Sequence, residues 1–339
     1  MSRPLVTVVV PVYNGARYLR ESLDSIVGQT YAPTEIIVLD DASTDETPTI
    51  IASFAGRVRH VRHPRNMGQF PNINAGIAMA AGELVSVYHA DDVYEPTIVE
   101  RSAAFLESHP EAGAVFSLDV FIDAQGREYG RLELPPEMRG QRILTFRDVV
   151  NAVLLRKNRF LRTPGAMVRR RVYESVGGFL DTFGIAGDFE MWLRIARRYP
   201  LGLLDEYLFR YRHFHGNLSH HYQYLRTSPD SFFAVMDRYL AEGARAVATD
   251  SALAAYEGHR AEEVLMNAVN LYISGDVGSA RRLVDTVSPR TLMAARTIQR
   301  PRLVALRAIL GVLTRVPRIG VVSDIMHRRW NRRRPPVAG

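Results

Sequence analysis

A chain of 339 residues, 47% hydrophobic and 23% charged, is long enough to bury a large core, and this balance excludes a disordered protein. It contains no cysteine, which excludes a disulfide framework and any thiolate metal site. The net charge of +7 is local: from Arg281 onward 14 arginines face only Asp285 and Asp324, an excess of +12, so the preceding residues sum to −5.

The opening residues, MSRPLVTVVVPVYN, lack the ordered charged, apolar and cleavage regions of a secretory leader. No run reaches the roughly 20 apolar residues of a membrane span, the nearest being broken by Arg307, Arg315, Pro317 and Arg318. A cytoplasmic protein, peripheral on the inner face of the cell membrane, is the expectation.

In chain order, Leu5 to Val10 is a short β-branched run of the kind buried on both faces of a sheet. Turn residues Asn14 and Gly15 follow, and then Tyr18, Leu19, Leu23, Ile26 and Val27 fall at helical spacing. A second apolar run, Glu35 to Leu39, ends at Asp40-Asp41, and Thr44 to Pro48 carries helix-start chemistry. Strand, helix, strand implies a parallel sheet with a right-handed crossover.

The alternation continues with a strand at Val58 to Arg62, a helix at Pro71 to Ala81, and a buried strand at Leu84 to His89 that ends at Asp91-Asp92. Glu95 to Leu106 reads as helix, Ala114 to Ile122 as strand, Tyr129 to Arg142 as an exposed loop, Thr145 to Arg156 as helix, and Thr163 to Arg169 as strand. From Phe232 onward the spacing is helical, which indicates a separate appendage.

In open α/β sheets a ligand sits beyond the carboxyl ends of the strands, and here three strands end in polar sequence: Tyr13-Asn14, Asp40-Asp41 and Asp91-Asp92. Tyr13 and Asp41 suit the wall and edge contacts of a nucleotide base. The adjacent carboxylates of Asp91 and Asp92 repel unless a cation or donors compensate them, and a hard cation such as Mg²⁺ or Mn²⁺ bridges carboxylates to phosphate. Each residue read alone has a plainer role: a half-buried strand aromatic for Tyr13, and an acidic helix-capping turn for the pair.

The ordered set Pro11-Val12-Tyr13-Asn14, Asp40 to Asp45 and His89-Ala90-Asp91-Asp92 resembles glycosyltransferase family 2, the inverting transferases with an A-type fold, over about residues 5 to 220. The resemblance implies a Rossmann-like α/β fold with a mostly parallel central sheet, followed by a helical C-terminal extension. It implies a glycosyltransferase domain over 1–222, with a nucleotide-binding half of about 1–110 and an acceptor half of about 111–222. A helical extension at 223–300 and a basic amphipathic tail at 301–339 complete the expected organisation.

By the same resemblance Pro11, Tyr13, Asn14 and Asp41 lie against the nucleotide, Asp91 turns toward the ribose, and Asp92 ligates the metal. Asn66, Gly68 and Asn74 match the family's glycine-bearing loop and the helix behind it, although Ile73 stands where many relatives carry a basic residue. The string Gly184 to Arg194 matches the segment whose acidic pair opens a helix beside the acceptor. Its first acid is replaced by Gly187, which leaves Asp188 as the catalytic aspartate and Glu190 in reserve. Tyr211 to Ser219 matches the closing segment that supplies a metal-binding histidine; His215 is the candidate and His213 the reserve, since the usual position falls on Phe214.

The activity implied is inverting transfer of a sugar from a nucleotide-diphosphate donor, a UDP-sugar, to a hydroxyl of a glycan or lipid-linked acceptor, in surface polysaccharide or glycolipid assembly. The cofactor is a divalent ion, Mg or Mn. Residues 301 to 330 alternate apolar positions with arginines, as in a helix lying on an anionic membrane surface, while no nucleic-acid motif is present. Two rival functions remain: a catalytically silent sugar-nucleotide sensor, and a sugar-phosphate nucleotidyltransferase. The latter needs a glycine-rich basic loop after the first strand, where this chain has Pro11 to Arg17.

Overall fold

The computed structural model describes residues 3–214, 225–295, 299–316 and 320. The chain forms two compact units, one of residues 1–149 with 158–213 and one of residues 150–157 with 214–339.

In the first unit, strand β1 (Val6–Val12) leads to helix α1 (Ala16–Val27), which buries Tyr18, Leu19, Ser22, Leu23 and Ile26 along one stripe. Strand β2 (Thr34–Asp40) precedes the short α2 (Thr47–Ala52), and the charged edge strand β3 (Arg59–Arg62) precedes α3 (Gln69–Met79). Helix α3 approaches β1 so closely that a Cβ on Gly76 would sit 2.4 Å from Val9 Cγ1, which explains glycine inside this helix. Then come β4 (Leu84–Val87), the two-residue β5 (Val93–Tyr94), α4 (Ile98–Ser108) and β6 (Ala114–Ile122).

The chain runs on through β7 (Glu128–Arg131), β8 (Ile143–Leu144), α5 (Phe146–Arg156), whose residues from 150 onward belong to the second unit, and then β9 (Ala166–Arg169), α6 (Arg170–Val176), α7 (Gly187–Ala196) and β10 (Leu201–Arg212) of the first. The sheet order is β3-β2-β1-β4-β9-β6-β10-β5, with β7 added to β6 and β8 to β10. Strands β3, β2, β1 and β4 are mutually parallel, as are β6 and β10, while β9 is inserted antiparallel between β4 and β6. The core pairs the valines of β1 with Leu19, Leu23 and Ile26 of α1 and with Tyr88, Phe105 and Phe209. Each such side chain contributes roughly 1.5–3 kcal/mol by leaving water.

Residues 129–142 differ from the exposed loop expected of them. They contribute β7 and a 3-10 turn at Pro136–Met138, and they bury Leu132, Leu134 and Met138. Proline, glycine and charge mark local turns here, but the apolar residues between them are recruited by β6.

The second unit continues with α8 (Ser231–Ala241), α9 (Asp250–Ser274), α10 (Val277–Thr286), α11 (Pro289–Ala294) and α12 (Arg300–Leu313). The starts of α8 to α11 are capped by Asp230, Thr249, Asp276 and Ser288, whose side chains accept N–H groups of the first turn. Leu265, Tyr272, Ala280, Val284, Leu303 and Leu310 form its core. No helix among the described residues is long and apolar enough to cross a membrane.

Candidate active site

The carboxyl ends of β1 and β2 are stitched into one surface. Asn14, at φ 48°, donates its N–H to Ser43 Oγ at 2.9 Å and accepts Thr44 N–H on Oδ1 at 2.8 Å. Gly15 N–H donates to Thr47 Oγ1, and Ala16 N–H to Asp45 Oδ2. Tyr13 is left 51% exposed at this rim beside Pro11, free to meet a planar ligand.

Asp41 is buried, and its carboxylate accepts the N–H groups of Met67 (2.8 Å) and Gly68 (3.0 Å). Asn66 Oδ1 accepts the same Gly68 N–H at 3.0 Å. Gly68 has φ 91°, a backbone region that favours glycine, so the loop 66–68 wraps the end of β2 on its way into α3. Asn74 is engaged otherwise than expected: its amide donates to Phe179 O (2.9 Å) and accepts Phe179 N–H (2.8 Å), tying α3 to the segment after α6.

The turn after β4 carries the densest charge. His89, Asp91 and Asp92 place one ligand atom each within 4.8 Å of one another. Asp92 is 1% exposed; Oδ1 accepts Arg212 N–H at 2.8 Å, while Oδ2 has no hydrogen-bond partner among the described residues and lies 3.7 Å from His89 Nδ1. His89 Nε2 is likewise buried and unpartnered. Burial pushes Asp91 up to about 6, raises Asp92 well above the carboxylate range with help from Asp91 beside it, and drives His89 down to about 4. An unpaired buried carboxylate oxygen beside a neutral imidazole fits a hard divalent cation.

The group able to hold a metal ion therefore includes His89 and Asp91 beside Asp92. His215 lies outside the described residues. His213 is not part of the cluster: its N–H donates to Ile122 O, Nδ1 meets the Tyr129 hydroxyl, and its ring packs against Phe121 and Tyr211. Burial, assisted by Arg162, lowers His213 to about 4.

Asp188 stands in the first turn of α7, where Oδ1 accepts the Phe189 N–H at 2.6 Å and Oδ2 accepts the Thr163 hydroxyl at 3.4 Å. Burial lifts it to about 6, against the opposing pull of those donors and of Arg162. Gly187 before it has no room for a side chain, because a Cβ would lie 2.5 Å from both Leu180 O and the Phe70 ring. That packing accounts for the missing first acid. Glu190 is 2% exposed and paired with Arg194 at 2.9 Å, so it serves the interior of α7 rather than the reserve role expected of it.

Two residues that the sequence does not single out join this constellation. Arg162, before β9, places Nε 3.3 Å from Asp119 Oδ2 on β6. Asp119 is fully buried and pushed up to about 6 by that burial, with Arg162 opposing. Arg162 opposes the rise of Asp92 and of Asp188, in each case by less than burial raises it.

A mostly parallel sheet with an acidic turn at its strand ends is the A-type glycosyltransferase fold, and solved structures share it. S. aureus TarS 1–349 in complex with UDP-GlcNAc matches with a TM-score of 0.60 at 18% identity, over 96% of this chain and 92% of that one. The mannosyltransferase PcManGT from Pyrobaculum calidifontis, in complex with GDP-Man and Mn²⁺, matches with a TM-score of 0.50 at 21% identity, over 93% and 89%.

The sequence profile of glycosyl transferase family 2 matches residues 7–177, half of the chain, and the chain belongs to that family. An uncharacterized glycosyltransferase of Haemophilus influenzae is 29% identical over 223 residues, 63% of this chain and 67% of its own length. A relative from Rickettsia felis is 28% identical over 218 residues, and the match spans 34% of its length.

Proposed function

We propose that this chain is an inverting glycosyltransferase that moves a sugar from a nucleotide-diphosphate donor, a UDP-sugar, to a hydroxyl of a glycan or lipid-linked acceptor. The observation that carries the reading is the His89–Asp91–Asp92 cluster in the turn after β4, whose ligand atoms lie within 4.8 Å of one another. The nucleotide sugars bound by TarS and PcManGT support the donor class.

In this mechanism Tyr13 supports the base at the rim, and Asp41 both holds the 66–68 loop and offers its remaining lone pairs to the base edge. Asp91 orients the ribose. His89, Asp91 and Asp92 would hold Mg²⁺ or Mn²⁺, which when bound supplies compensation for charge on the departing nucleoside diphosphate. Asp188 takes the proton from the acceptor hydroxyl as its oxygen attacks the anomeric carbon; the carbon–phosphate-oxygen bond breaks on the opposite side. A single displacement inverts the anomeric configuration.

Asp188→Asn tests this directly. Turnover of UDP-GlcNAc or GDP-mannose with Mn²⁺, to an acceptor or to water, should fall by about 10²–10⁴ while nucleotide binding by calorimetry persists. Retained turnover in Asp188→Asn sinks the assignment, and a product of retained anomeric configuration sinks the single displacement.

The acceptor context is surface polysaccharide or glycolipid assembly at the inner face of the membrane. Support comes from α12, where Val304, Ala305, Ala308, Ile309, Val312 and the following Val316 form an exposed stripe at helical spacing. In sequence, residues 301–339 carry nine arginines and one aspartate, a balance complementary to anionic lipid.

A further inference from the structure

Ala42, the residue after Asp41, stands at φ 61°, in the left-handed region that a residue with a Cβ disfavours. Asn14, on the facing strand end, shares that region, but asparagine tolerates it and alanine does not. Such a turn persists only where contacts from outside hold it in shape.

Those contacts come from Asp40 and Arg62, which stand opposite each other in the register of β2 and β3. Between them they take both main-chain polar groups of Ser43: its N–H donates to Asp40 Oδ1 at 2.8 Å, and Arg62 Nη2 donates to its carbonyl oxygen at 2.7 Å. Arg62 Nη1 lies 3.5 Å from Asp40 Oδ2 and closes the ring by charge, since that buried oxygen has no hydrogen-bond partner among the described residues. His60 Nε2 stands farther from the same oxygen, at 3.8 Å. Asp40 is fully buried, so its charge is poorly screened, while Arg62 reaches it from a half-exposed edge strand.

The ring encloses Asp41 and Ala42. On its inner side the Asp41 N–H donates to Val12 O and the Asp41 carboxylate accepts from Met67 and Gly68, while Ser43 Oγ accepts the Asn14 N–H. A shift of Ser43 would therefore move both strand ends that face the ligand.

We propose that Arg62 is a positioning residue for nucleotide recognition: with Asp40 it clamps Ser43, holds Ala42 in its left-handed conformation and so fixes the direction of the Asp41 carboxylate. The inference rests on the reading of Asp41 as the contact to the base edge, and its test needs no turnover. Full-length wild type and variants are titrated calorimetrically with UDP and with GDP in the presence of Mn²⁺.

Arg62→Gln should bind the preferred nucleotide about tenfold more weakly, the loss expected when a hydrogen bond to a charged group is removed. Adding Ala42→Gly to Arg62→Gln should regain most of that loss, because glycine adopts φ 61° without the clamp. An unchanged Kd in Arg62→Gln overturns the proposal. So does a double variant that binds no tighter than Arg62→Gln, since a guanidinium that touched the nucleotide itself is not replaced by a glycine at residue 42. Should Arg62→Gln fail to fold, Arg62→Lys takes its place with the same two expectations: it keeps the charge beside Asp40 and loses the fork that also spans to Ser43. Asp41→Asn separates the two levels. If it binds both nucleotides as the wild type does, the base-edge reading fails and this inference with it; if it weakens binding and Arg62→Gln does not, the positioning role alone is overturned.

Discussion

The main-chain N–H of Arg212 donates to Asp92 Oδ1 over 2.8 Å, locking the end of β10 onto the acidic turn that follows β4. The side chain completes the lock. Arg212 is 2% exposed, its Nε donates to Asp91 O, Nη2 reaches Glu21, and the guanidinium lies 4.5 Å over the Tyr18 ring. The pairing of β5 with β10, Val93 opposite Arg210, sets this register.

Arg212→Met should therefore cost about 3 kcal/mol, because it removes the guanidinium that is hydrogen-bonded to the buried turn while filling the same space with apolar atoms. Urea denaturation of the metal-free protein measures it. A loss below about 1 kcal/mol would mean that the main-chain bond alone holds the turn.

Metal and pH meet at Asp91. Asp91, Asp119 and Asp188 titrate near 6 when folded, above their unfolded values, so the folded chain holds protons there that the unfolded chain has released. Their contribution to stability is full below the unfolded values and is lost as pH rises through about 6. Mn²⁺ offsets the exposed cost only where protons no longer compete for its ligands. The rise in Tm on adding Mn²⁺ should be small at pH 5 and large above pH 6, equivalent to about 2.7 kcal/mol at a hundredfold excess over Kd. Asp92→Asn and His89→Ala should each diminish it.

A base must be ionised to accept a proton, and Asp188 sits near 6. The rate of sugar transfer should fall about tenfold per pH unit below pH 6. The profile of kcat/KM between pH 4.5 and 8 reads this acid limb; an acid limb near pH 4 would place the base elsewhere.

Gly187 is held by contact rather than by turn geometry. Gly187→Ala brings a methyl group within 2.5 Å of Leu180 O and of the Phe70 ring, so either the backbone or Phe70 must move. About 1–3 kcal/mol of destabilisation is expected from such overpacking, with a larger fractional loss in kcat than in donor affinity because the displaced residue is Asp188. Thermal unfolding and steady-state kinetics separate the two effects.

The exposed stripe of α12 should bind bilayers by its aliphatic face. Val304→Asn, Ile309→Asn and Val312→Asn together should lower co-sedimentation with phosphatidylglycerol vesicles severalfold and leave Tm unchanged, since all three side chains are exposed in the folded unit. Equal binding to neutral phosphatidylcholine vesicles would remove the electrostatic part of the reading.

The alternation of strands and helices was legible in the sequence because it is local chemistry. Val6 to Val10 can only be buried on both faces, the spacing of Leu19, Leu23 and Ile26 suits only a helix, and Ala114 to Ile122 is a strand with the bounds its composition indicates. The acidic strand ends were visible for the same reason, and the Asp188 helix start through its resemblance to the family segment.

Other roles depend on which distant segments become neighbours. Sheet order brings β6 and the lead into β9 together, so Arg162 meets Asp119 across 43 residues; neither has a local sequence signal. Turn geometry brings His89 to Asp91 and Asp92, and one turn of helix commits Glu190 to Arg194. Asn74 reaches the Phe179 backbone 105 residues away. Short-range patterning indicated the alternating strands and helices of the first 122 residues, whereas charge pairing in the site was decided by tertiary packing, because Coulomb and hydrogen-bond partners are chosen by distance in space, not along the chain.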